Sequence, residues 1–228
     1  LARGMKLPVL VLALAPSPKE LPDSSLVHMI DVFSRALGPA GERVWFLEDD
    51  TLDLVALDER IARADAEATP VLLCGASFAF VHFLDGLGDT KFRLPEGSRV
   101  MQTGGFKGKS REVDPETLRR DIARTFCVPV DHVVGEYGMT ELSSQFYEVR
   151  PGVYAEPPWA RVIPVDPETL APVADGQIGV ARIEDLCNVD SAFAVLASDR
   201  VRRVEGGFAL LGRAPGAAPR GCSIAIDE

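Results

Sequence analysis

The feature that most constrains this chain is the repeated coupling of short, unbroken apolar runs to longer stretches of helical period. Residues 7–14 and 71–74 are apolar without alternation. Such a strand needs cover on both faces, which is the situation of a parallel strand between layers of helix. The intervening segments supply those helices. Asp23 or Ser24 can cap a helix that carries Leu26, Ile30, Phe33 and Leu37 on one face and ends near Gly38. Residues 44–47 read as the next strand, with Glu48, Asp49 and Asp50 as its solvated exit, followed by a helix to about Ala66. A helix through His82 and Leu84 follows the run at 71–74, and residues 100–102 lead into the turn Thr103-Gly104-Gly105. Asp114-Pro115 is a helix start, a capping carboxylate followed by proline at the first helical position. Leu118, Ile122 and Phe126 then recur every fourth residue on one buried face, ahead of a strand at Val133 and Val134. This alternation predicts an α/β fold built on a mostly parallel, doubly wound sheet.

After about residue 143 the texture changes. Strand-like runs at 145–149, 161–165, 178–183, 193–196, 201–204 and 208–211 are separated by turns rich in Pro, Gly and Asp. They predict a smaller β-rich subdomain, antiparallel or barrel-like. The junction at 149–159 divides the chain into an expected α/β part, 1–148, and a β-rich part, 149–228.

Composition narrows the function classes. With 228 residues, 46% of them hydrophobic, the chain can bury a full core. A formal net charge of −10 argues against nucleic acid or an anionic membrane as an electrostatic partner. It leaves nucleotides open, because amides, aromatic rings and a metal ion hold those locally. Four cysteines (Cys74, Cys127, Cys187, Cys222) form no CxxC pair and the three histidines show no zinc spacing, so a cytoplasmic setting is expected. No apolar run reaches membrane-spanning length. Arg3 and Lys6 before the run at 7–15 resemble the start of a signal peptide, yet a Pro-containing turn and a helix pattern follow directly, which favours a buried first strand. The opening Leu1 suggests a trimmed or incomplete front end.

Three segments carry groups suited to chemistry. Gly135-Glu136-Tyr137-Gly138-Met139-Thr140-Glu141 ends an apolar strand, and open α/β sheets bind ligands at the carboxyl ends of their strands. An aromatic ring, a glycine, a hydroxyl and a carboxylate in succession can stack a base, admit a ligand to the backbone, touch phosphate and hold Mg²⁺ through oxygen. The same string also suits an ordinary strand–turn with a buried tyrosine and a capping Thr–Glu pair. Thr103-Gly104-Gly105-Phe106 is a second strand-end turn, either a tight βα connection or a ligand rim, followed by the basic Lys107, Lys109 and Arg111. Ser198-Asp199-Arg200, then Gly206-Gly207-Phe208 and Gly212-Arg213, read as a hairpin with an Asp turn, or as a carboxylate offered to ribose hydroxyls.

Taken together these segments resemble the adenylate-forming (acyl-AMP) synthetases. Tyr137-Gly138-Met139-Thr140-Glu141 resembles their Tyr-Gly-x-Thr-Glu motif, and Gly104-Gly105 their adenine-contacting turn. Asp166-Pro167-Glu168-Thr169-Leu170 through Gly176-Gln177-Ile178-Gly179 resembles their Asp-Pro-Glu-Thr … Gly-Glu-x-Gly stretch, while Asp199 and Gly212-Arg213 resemble the ribose-binding Asp and the Gly-Arg that follows it. The string from Glu136 to Tyr147 is most similar to the acyl-protein synthetases, relatives of the long-chain fatty acid ligase of bacterial bioluminescence. The tail agrees, since only residues 214–228 follow Arg213 and Cys222 matches the family's acyl-accepting cysteine; a small apolar residue in a last strand is its other reading.

The resemblance implies roles. Tyr137 stacks on adenine with Gly104, Gly105 and Phe106 at its edge and Gly138 beside it, and Asp199 binds the ribose. Thr140 contacts phosphate, Glu141 holds Mg²⁺, and Arg213 closes the site. ATP, AMP and Mg²⁺ are the implied cofactors, and a carboxylic acid, long-chain fatty acids included, is the implied substrate. Acyl transfer to a thiol follows, with an acceptor protein or a reductase as partner. One element of the family is missing: no Ser/Thr/Gly-rich phosphate loop with its lysine occurs, so it is expected ahead of Leu1. Two alternatives stand beside this reading. One is a non-catalytic nucleotide-binding or partner module that kept the fold without the loop. The other is an α/β-hydrolase-like esterase with Ser77 as nucleophile in Gly75-Ala76-Ser77-Phe78-Ala79 and His132 as its base.

Overall fold

A computed structural model describes residues 1, 4–48, 51–88, 90–104 and 110–216. The chain forms two compact units that meet in sequence at Val134 and Gly135, so the textural division at 148/149 falls inside the second of them.

In the first unit the strands β1 (Leu10–Leu14), β4 (Val71–Ala76) and β5 (Arg99–Thr103) are parallel and adjacent in that order. All of β1 and β4 is buried, as their unbroken apolar sequences require. The expected strand at 7–14 starts only at Leu10: Pro8 has no N–H to give a ladder, and Leu7 is exposed. Four helices accompany these strands: α1 (Ser25–Leu37), α2 (Leu54–Ala66), α3 (Ser77–Leu87) and α4 (Pro115–Thr125). Ser24, Asp53 and Asp114 cap α1, α2 and α4 by accepting from Val27, Ala56 and Thr117 amides. The face of α1 is turned slightly from expectation, since Val27 and Ile30 are its buried residues. Phe80, Phe83, Phe92 and Phe126 fill the core beneath α3 and α4, with Phe83 and Phe126 stacked at 5.3 Å.

The expected strand at 44–47 does not join the ladder as a full member. Trp45 makes a single parallel bridge to Ala13, and the short strands β2 (Leu47–Glu48) and β3 (Thr51–Leu52) then pair antiparallel with each other. Polar residues flank this run, and Phe46 alone of it is fully buried.

Strand β6 (Val133–Tyr137) leads into the second unit, where the order is β6-β7-β8-β12-β11-β10-β9. These strands are β7 (Phe146–Arg150), β8 (Val153–Ala155), β9 (Ala160–Val165), β10 (Ile178–Asp185), β11 (Ala194–Val204) and β12 (Gly207–Arg213). Every pairing among them is antiparallel, and the ladder is open at β9. The two runs expected at 193–196 and 201–204 are one long strand, β11. Strand β8 had no separate signal; its place beside β12 depends on Gly207, where a Cβ would collide with the Tyr154 carbonyl oxygen. Tyr137, Phe146, Val162, Ala181, Ile183, Val201 and Phe208 form the core.

Candidate functional site

Strand β6 delivers Tyr137, and glycine makes the delivery possible. The Gly135 amide donates to Glu148 Oε2 at 2.6 Å, and a Cβ at this position would lie 2.7 Å from the Tyr154 hydroxyl. The Tyr137 ring sits 6.0–6.2 Å from those of Phe146, Tyr154 and Phe208, the last two edge-on, and is 8% exposed. Its hydroxyl donates to Asp199 Oδ2 at 3.0 Å, across 62 residues of sequence. Burial, and then the adjacent Asp199 charge, push the phenol well above its ordinary value, so Tyr137 is a neutral donor.

Asp199 and Arg213 face each other across β11 and β12, with an irregularity in register between Asp199 and Val201. Gly212, at φ +78°, supplies the left-handed backbone on the partner strand. Asp199 Oδ1 lies 3.9 Å from the Arg213 guanidinium. The Asp199 side chain is 15% exposed, so lone pairs remain for a ligand. A carboxylate only accepts, whereas vicinal sugar hydroxyls donate, so these acceptor oxygens are compatible in chemistry with a ribose.

Residues 138–145 connect β6 to β7. Glu136 Oε1 covers the Gly138 Cα, 2.5 Å from where a Cβ would stand. Thr140 and Glu141 form an exposed turn, closed by the Leu142 amide on the Met139 carbonyl at 3.0 Å. Among the described residues no cluster of three or more potential metal ligands occurs. Mg²⁺ held by one carboxylate together with phosphate and water oxygens needs no such cluster, and Glu141 suits that mode.

Behind this loop lies a group that the sequence reading passed over. Asp185, at the end of β10, is wholly buried, and its carboxylate accepts from the amides of Ser143, Ser144 and Cys187 and from the Ser144 hydroxyl at 2.8–3.1 Å. Asn188 accepts from Ser143 N–H and donates to the carbonyls of Glu141 and Ala192. The signal was present: burial alternates along β10 through Gly179, Ala181, Ile183 and then Asp185, so period two assigns a carboxylate to the inner face.

Other motif residues serve the fold. Asp166 accepts from the amides of Glu168 and Thr169 and from the Thr169 hydroxyl, which makes the Asp-Pro-Glu-Thr stretch a closed turn. Gly179 leaves room for the Val165 backbone, 2.6 Å from where its Cβ would lie. Gly104, in the first unit, adopts φ +69° with open space above it. Gly105, Phe106, Lys107, Lys109 and Cys222 lie outside the described residues. Arg111, one of the basic residues after the glycine turn, is forked onto Asp85 at 2.8–3.3 Å. The esterase arrangement is not supported. Ser77 is buried and donates to the Gly104 carbonyl at 2.9 Å, and His132 Nδ1 is engaged with the Ser98 carbonyl oxygen at 2.9 Å.

Comparison with known proteins agrees with the family resemblance. Residues 42–228 match the family model of the acyl-protein synthetase LuxE. The long-chain-fatty-acid–luciferin-component ligase of Aliivibrio fischeri is 26% identical over 144 residues, 61% of this chain. That match covers 38% of the relative's own length. The fold is similar to ATP-bound MatB from Rhodopseudomonas palustris (TM-score 0.59, 18% identity, 91% of this chain and 41% of that one). It is also similar to O-succinylbenzoate coenzyme A synthetase (MenE) from Bacillus subtilis in complex with ATP and magnesium (TM-score 0.60, 18% identity, 92% and 42%). The chain therefore belongs to the LuxE acyl-protein synthetase family.

Proposed function

We propose that this chain carries the nucleotide-holding part of an acyl-protein synthetase, which converts a carboxylic acid and ATP into acyl-AMP and pyrophosphate and then passes the acyl group to a thiol. The observation that supports this best is the meeting of Tyr137, Asp199 and Arg213, three motif residues from separate strands, in one hydrogen-bonded and charged group. Asp199 accepts from the ribose hydroxyls, while the neutral Tyr137 hydroxyl and the Arg213 guanidinium orient its two oxygens. The Tyr137 ring is the surface for adenine, held in angle by Phe146, Tyr154 and Phe208. Thr140 and Glu141 face the phosphate end. Glu141 would hold Mg²⁺ brought in with ATP, and the ion would supply charge neutralisation for the departing pyrophosphate.

In the first step a carboxylate oxygen of the acid bonds to the α-phosphorus, and the bond to the pyrophosphate oxygen breaks. In the second a thiolate attacks the acyl carbon and AMP leaves. The A. fischeri relative makes a long-chain fatty acid the first substrate class to test; on the motif resemblance, Cys222 is the first candidate thiol.

Titration of the chain with a non-hydrolysable acyl-adenylate analogue tests the reading. Saturable binding that Asp199→Ala weakens by about 10–100-fold is expected, the scale of hydrogen bonds to a charged group. Absence of binding by the folded wild-type chain would overturn it.

A further inference from the structure

We infer that Asp185, together with Asn188, is the positioning group for the phosphate-facing loop, an inference that rests on the nucleotide reading above. The loop at 138–145 is too long to inherit its shape from the β6–β7 ladder, which ends at the Tyr137–Phe146 pair. Its shape comes from behind. Asp185 collects the Ser143 and Ser144 amides on one oxygen, and the Ser144 hydroxyl and Cys187 amide on the other. Asn188 ties the Glu141 carbonyl to Ala192, so the backbone of Glu141 is gripped directly. Trp159 Nε1 donates to the Ser144 hydroxyl oxygen at 3.0 Å and completes the brace.

A buried carboxylate is costly unless donors surround it, and an apolar residue would fill the core end of β10 at lower cost. What the carboxylate provides instead is direction. Among the described residues, the donors on it come from the loop and from the turn after β10, and none of these contacts involves Tyr137, Asp199 or Arg213. The brace therefore governs where Thr140 and Glu141 point, and leaves the ribose end of the site to its own contacts.

This separation can be read in binding. The 228-residue chain is titrated calorimetrically with AMP, with ATP alone and with ATP plus Mg²⁺, as wild type and as Asp185→Asn. The amide is close in size but presents an NH₂ group to donors that need an acceptor. Asp185→Asn is expected to weaken Mg²⁺-dependent ATP binding by about 10–100-fold while AMP affinity stays within about twofold. Should Asp185→Asn fail to fold, Asn188→Ala, which releases the Glu141, Ser143 and Ala192 contacts, is expected to show the same split. Equal losses for AMP and Mg·ATP would make Asp185 a fold residue and overturn the inference, as would no loss in either. A folded wild-type chain that binds no AMP overturns the nucleotide reading itself. One that binds AMP and Mg·ATP, with both variants matching it, overturns the positioning role alone.

Discussion

At the scale of single residues, the Tyr137–Asp199 hydrogen bond holds the site together. The phenol has a raised folded value, so its contribution to stability is full below the ordinary 10.0 and is lost as pH rises above it. Tyr137→Phe leaves Asp199 Oδ2 without its donor and is expected to lower stability by roughly 1 kcal/mol. Urea unfolding of the two proteins measures this, and the gap between them is expected to narrow above pH 10.0. The convergence was legible only through the order of motifs. Nothing in the local sequence of Asp199 separates the proposed ribose carboxylate from an ordinary hairpin Asp, and its Tyr137 partner lies 62 residues away. Asp185 escaped notice for a related reason. A carboxylate before Leu-Cys-Asn reads as a turn, and only the inward phase of β10 reveals that it is buried.

At the scale of elements, the β11–β12 hairpin sets the geometry. Its irregular register brings Asp199 opposite Arg213, and Gly212 at φ +78° accommodates the extra backbone. Gly212→Ala is expected to cost about 1–2 kcal/mol from the left-handed backbone alone. It should also weaken acyl-adenylate binding, because the cross-strand pair moves with it; thermal melts and titration of the same preparation check both effects. The helices and buried parallel strands were legible because apolar phase and capping residues agree, as at Ser24 and at Asp114-Pro115. Strand β8 was not, because three residues show too little alternation and its pairing depends on a distant Gly207. The run at 44–47 had strand composition, but beyond its single bridge to Ala13 its next pairing is of Leu47 with Leu52 in the two-residue strand β3.

Across the whole molecule, carboxylates accept from backbone amides or from arginine at many points. Asp53, Asp114 and Asp166 are held below the ordinary carboxylate value chiefly by backbone N–H groups, and Asp85 by Arg111. Each depressed group stabilises the fold above 3.8 and loses that contribution as pH falls through its folded value. Stability is therefore expected to hold from neutral pH down to that region and to drop below it. A series of melts from pH 7 to pH 3 reads this directly, and Asp166→Asn should flatten the part that belongs to the second unit. The sequence showed an acidic chain of net charge −10. Which carboxylates were engaged depended on turn geometry that composition does not contain.

The indole of Trp159 has a consequence of another kind. The chain holds two tryptophans, and this one is half open to solvent while its N–H is bonded to Ser144 in the loop bearing Thr140 and Glu141. With Trp45 replaced by phenylalanine, its emission becomes an optical gauge built into the molecule. Colour and intensity then follow the brace as ligand or mutation alters it, without any attached dye.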